Sequence, residues 1–142
     1  MRRVPVLRKF DQFALMMGCT LGFYTFYLVP SYARDMRAIT GKPRMEFNPL
    51  LILGIVTLGL SLMVMMIMWA FELETHGKTV GKSGRQEFLG LPVLALNVIA
   101  LISGFAIDNF FLGLIVAGGF EAWAVWLLQK EINLYAPAPQ PV

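Results

Sequence analysis

The sequence predicts an all-α fold: a polytopic transmembrane helical bundle with four membrane-spanning helices, the last two a tight hairpin. Three observations lead there. The 142 residues are 57% hydrophobic and 15% charged, with mean hydropathy +0.64, whereas soluble domains carry about 25% charged residues. A chain this short cannot hide so much apolar surface from water. Its apolar residues also form long unbroken runs, not the short alternating segments of a β-barrel. Backbone groups in lipid must be satisfied internally, so such runs are expected to be helices.

The elements follow in order within a single membrane domain, residues 1–142. The first run, Phe13 to Val29, ends at Pro30 and predicts a helix over about 13–32. The basic start MRRVPVLRKF precedes it as in a secretory signal, and Leu15 to Cys19 is similar to a lipoprotein cleavage box. The apolar stretch before Cys19 is too short for either, so a first membrane helix is the preferred reading. Pro49 to Phe71 is long enough to span about 30 Å of hydrocarbon and predicts a helix over 49–71. Phe88 to Leu128 is too long for one span. Its polar break, Asp108-Asn109, is a favoured turn pair and divides it into helices over 89–107 and 110–128. Alternating prolines in the tail, 136–142, favour an extended polyproline conformation.

Charge gives an orientation. With the N-terminus inside, the inner side would hold Arg2, Arg3, Arg8, Lys9, Lys78, Lys82, Arg85 and Lys130, and the outer side Arg34, Arg37, Lys42 and Arg44. Lysine and arginine favour the cytoplasmic side, so both termini are expected there. Trp69, Trp123 and Trp126 would then mark the inner interface, and Tyr27 and Tyr32 the outer one. The aromatic stretch Phe23 to Tyr27 is read as an interfacial anchor. The net charge of +3 is distributed between apolar runs, which fits lipid headgroups and argues against nucleic acid as a partner. One cysteine and one histidine, Cys19 and His76, exclude an internal disulfide and a histidine-rich metal or haem site. No cofactor and no metal are expected, although apolar surfaces can take lipid or pigment without leaving a motif.

Several patterns could carry chemistry. The segment His76 to Ser83 nearly spells a phosphate-binding loop, but position 76 lacks the required glycine and no strand precedes it. It reads instead as a basic loop whose Lys78, Lys82 and Arg85 contact lipid headgroups. Ala14, Gly18 and Gly22 recur every four residues on the first helix. Ala100 with Gly104, and Gly113 with Ala117, do the same on the hairpin. Such small faces let helices approach closely where lipid supplies no hydrophobic drive. Glu121 is the sharpest feature. An ionisable group near the centre of a span costs about 2.5 kcal/mol or more, so it should face the bundle interior. Counting from the turn, Asn97 lies at nearly the same depth on the facing helix, and a hydrogen-bonded intramembrane polar pair, Glu121 with Asn97, is expected.

A faint internal repeat sets Thr20-Leu21-Gly22 against Thr57-Leu58-Gly59. With Leu21-Gly22-Phe23-Tyr24, Leu58-Gly59-Leu60-Ser61 and the closing Gln129-Lys130-Glu131-Ile132-Asn133, the chain resembles an uncharacterised bacterial family of small multi-pass membrane proteins. That family has repeated Leu-Gly-aromatic-Tyr segments and polar helix exits. The resemblance implies a bacterial cytoplasmic-membrane location and no activity. No catalytic set is visible, so the function expected is non-enzymatic. It is that of an accessory or scaffold subunit packing into a homo-oligomer or a larger membrane complex, with membrane lipids, other membrane-protein subunits or itself as partners. The alternative is a small transporter or channel component using Glu121.

Overall fold

The computed structural model describes residues 8–19, 24–42, 52, 60–82 and 85–136. All regular structure among them is helical: α1 (Phe10–Cys19), α2 (Tyr24–Thr40), α3 (Leu60–Val80), α4 (Gly90–Ala106) and α5 (Phe110–Asn133). Among the described residues only α5 is both long and apolar enough, by length and composition, to cross a membrane; α4 is a shorter apolar helix of 17 residues.

The hairpin stands where the turn pair places it. The side chain of Asn109 accepts from the Leu112 amide at 3.1 Å and caps α5, as asparagine does at helix starts. The small-residue faces of α4 and α5 meet there: a Cβ built on Gly104 would lie 3.7 Å from that of Ala117, and one on Gly113 would lie 3.4 Å from the Gly104 carbonyl. Ala100 is buried in the same face. Ala14, on α1, is exposed; the surroundings of Gly18 and all of Gly22 lie outside what the structure describes.

Two helices outlast their apolar runs. α3 continues nine residues past Phe71, to Val80. Glu74 and Lys78, one turn apart, pair at 2.6 Å and support the polar turns. The helix stops at Gly81, which adopts φ 66°; the amides of Gly81 and Lys82 both return to the Gly77 carbonyl, at 3.1 and 3.3 Å, a glycine-terminated helix end. The segment His76 to Val80 is therefore the last turn of a helix and not a loop. α5 likewise runs on to Asn133. Apolar run length measures the helix portion that avoids water, not the helix.

The first run departs furthest from expectation. In one continuous helix Arg8 and Asp35 would be about 40 Å apart, yet Arg8 Nη1 lies 3.1 Å from Asp35 Oδ2. The chain therefore doubles back: α1 leads away from Arg8, and α2 returns beside it. Neither arm reaches about 30 Å, since α1 has 10 residues and only seven separate Tyr24 from Ser31. The expected crossing over 13–32 is thus replaced by a helical hairpin. The outer placement of Arg34, Arg37 and Lys42 falls with it, because Lys42 reaches Glu72 on α3 at 3.3 Å.

The core is concentrated where α2, α3 and α5 end and α4 begins. Leu28, Tyr32, Met36, Leu73, Leu89, Val93, Val125, Leu128 and Ile132 are fully buried there. Tyr32 and Trp69 belong to this core and do not mark interfaces. Trp126 packs against Phe10 and Phe13 at 4.9 and 5.3 Å between ring centroids, whereas Trp123 is exposed. At the opposite end apolar residues face outward: Phe105, Phe110 and Phe111 are 86%, 72% and 74% exposed. The aromatic side chains of 23–27, the repeat segments 20–22 and 57–59, and tail residues 137–142 lie outside the described residues.

Candidate functional site

The densest polar constellation is built around Arg8, just before α1. Its guanidinium donates from Nη1 to Asp35 Oδ2 at 3.1 Å and to Gln129 Oε1 at 2.9 Å, and from Nη2 to Ser31 Oγ. It also lies over the Tyr32 ring, 5.4 Å from the centroid, a cation–π placement. Helical spacing explains the arrangement: Ser31, Tyr32 and Asp35 share one face of α2, as Gln129 and Asn133 do of α5. Asn133 then grips the backbone. Its Oδ1 accepts from the Arg8 amide at 3.1 Å, its Nδ2 donates to the Arg8 carbonyl at 2.8 Å, and Gln129 Nε2 donates to that same Oδ1 at 2.7 Å. The Arg8 and Asp35 side chains are 13% and 5% exposed. An ion pair so far out of water needs further hydrogen-bond partners, and here the Gln129 amide and the Ser31 hydroxyl accept from the guanidinium beside Asp35.

A second polar layer pins the start of α4. Glu74 Oε2, from α3, accepts from the amides of Leu89 and Gly90 at 3.0 and 2.9 Å. It caps from another helix an end whose own N-cap residue, Leu89, has no capping side chain. Lys78 and then these amides hold the Glu74 carboxyl down to about 2, from an ordinary 4.5. Nearby, Glu131 Oε2 accepts from the Gln86 amide at 3.1 Å, and Gln86 Nε2 donates to the Leu127 carbonyl at 3.1 Å. Burial, and then the Glu131 carboxylate, push the Tyr135 phenol up.

The intramembrane pair expected from sequence is half realised. Gly104 meets both Gly113 and Ala117, so seven residues back along α4 Asn97 falls opposite 120–124, level with Glu121. The two do not bond. Asn97, 2% exposed, donates Nδ2 to the Val93 carbonyl at 2.7 Å, and its buried Oδ1 has no partner. Asparagine inside a helix competes for the carbonyl one turn back, and that local bond turns the amide along its own helix. Glu121 is partly exposed, and no described residue bonds to it.

The cations assigned to lipid are differently employed. Lys78 is paired with Glu74, Lys82 lies 5.5 Å from the Tyr135 ring centroid, and Arg85 is turned inward, its Cδ 3.3 Å from where a Gly77 Cβ would stand. Among the described residues no group of three or more His, Cys, Asp or Glu could hold a metal.

Sequence reasoning read Arg8 as a basic flank and missed the Arg8 cluster. Its one local signal was the spacing of Gln129 and Asn133 on a buried helix face. No family model, curated protein or solved structure matches the chain.

Proposed function

We propose that this is a small multi-helix integral membrane protein without enzymatic activity, an accessory or scaffold subunit that packs with itself or into a larger membrane complex. The Arg8 cluster carries the reading. Its donors and acceptors are engaged with one another and join the chain start to α2 and α5, which suits a rigid assembly piece better than an open reactive site. The apolar exterior of α4 and α5 supports placement in lipid. In this reading α3, α4 and α5 cross the bilayer, α1 and α2 dip in and return, and the end bearing Arg8 and Lys130 faces the cytoplasm. The resemblance to bacterial multi-pass proteins agrees with a cytoplasmic-membrane location. Mass measurement after extraction in mild detergent tests the proposal: an oligomer or a co-purifying membrane subunit is expected, and a strictly monomeric, partnerless species would overturn it.

A second reading, a transporter or channel component, is favoured by one observation: Asn97 Oδ1 is buried without a partner at the level of Glu121. It predicts that Glu121→Gln changes ion or proton flux in liposomes while assembly is unaltered. Flux no greater than in empty vesicles would reject it.

A further inference from the structure

Arg8, Asp35 and Gln129 meet at one point, and each has a cationic neighbour in the chain: Lys9, Arg34 and Lys130. All three neighbours are exposed, and so is Arg37, three residues after Arg34 on α2. The polar cluster turns its own charges inward, and these four exposed cations, each within two residues of a cluster member, make up its rim. Among the described residues none of the four makes a close ion pair with a carboxylate, although Glu131 adjoins Lys130 and acts on it through space; the exposed acid nearest in sequence to Lys9 is Asp11. Lys42 and Lys78, by contrast, are already matched by Glu72 and Glu74. The exposed Phe10 follows Lys9, so an apolar side chain adjoins the cationic rim, as at a membrane interface.

We propose that this rim binds the headgroups of anionic phospholipids, with Lys9, Arg34, Arg37 and Lys130 as the phosphate-contacting side chains. The inference rests on the membrane placement proposed above. It moves headgroup recognition away from Lys78, Lys82 and Arg85 to cations that only the α1–α2 fold-back brings to one side. A cation near an anionic leaflet strengthens binding by about fivefold, so loss of two should lower lipid retention by about 25-fold.

The test reconstitutes the full chain in nanodiscs with equal phosphatidylglycerol and phosphatidylcholine and measures the lipids retained after detergent extraction. Wild type should retain phosphatidylglycerol in excess. R34Q/R37Q and, separately, K9Q/K130Q should lose most of that excess while keeping their melting temperatures, and K82Q should keep it. Equal retention of the two lipids by wild type, or an undiminished excess in both double variants, overturns the proposal. Insertion into pure phosphatidylcholine discs tests the membrane placement separately: a chain that inserts but shows no lipid preference refutes the rim alone.

Discussion

At the scale of single residues, Arg8 has the largest consequences. Removing one partner of a buried ion pair leaves the other charge unmatched, which costs about 3–5 kcal/mol when burial is complete. Arg8 retains some exposure, so Arg8→Gln should destabilise by about 2–3 kcal/mol, read as thermal unfolding in detergent. Asp35→Asn should cost less, because an amide oxygen can still accept from Nη1. Equal stability of wild type and Arg8→Gln would show that the cluster does not hold the N-terminal hairpin. Gly90 is a second sensitive point: a Cβ there would overlap one edge of the Phe71 ring. Gly90→Ala should cost about 1–3 kcal/mol, and Phe71→Ala in the same chain should relieve much of that loss. Additive effects of the two substitutions would mean the ring does not occupy that space.

At the scale of elements, Glu74 couples pH to the junction of α3 and α4. Its carboxyl titrates near 2 in the fold and near 4.5 when unfolded. A lowered folded value means the contribution is complete above about pH 5 and is lost as pH falls toward about 2. Melting temperature should therefore fall between about pH 5 and pH 2, and Glu74→Gln should flatten part of that slope while lowering stability at neutral pH. An unchanged slope in the variant would assign the acid sensitivity to other carboxylates. The same carboxylate explains how α4 starts without a capping side chain of its own. The helix borrows its cap from α3, across 15 residues of chain.

At the scale of the whole molecule, every described lysine and arginine lies toward one end: Arg8, Lys9, Arg34, Arg37, Lys42, Lys78, Lys82, Arg85 and Lys130. The opposite end holds the Asp108-Asn109 turn amid exposed phenylalanines. This sidedness is sharper than loop counting indicated, because the fold-back returns Arg34, Arg37 and Lys42 to the side of Arg8. In a Cys19→Ser background, single cysteines at 42 and 82 should react with an impermeant reagent from the same side of sealed vesicles, and one at 108 only from the other. Labelling of 42 together with 108 would restore a first helix that crosses outright.

The chain by itself determined the helical class, the α4–α5 hairpin and its Asp108-Asn109 turn, and the equal depth of Asn97 and Glu121. These are local matters of run length, turn chemistry and rise per residue, all of which operate between near neighbours in sequence. Tertiary structure decided the rest. Nothing local distinguishes an apolar run that crosses from one that folds back, because both exclude water equally well. The contact between Arg8 and Asp35 makes that choice, and it belongs to residues 27 apart. The candidate site was hidden for the same reason. Arg8, Ser31, Asp35, Gln129 and Asn133 are ordinary polar flanks one by one, and they become a network only when two helices and the segment before α1 bring them to one point.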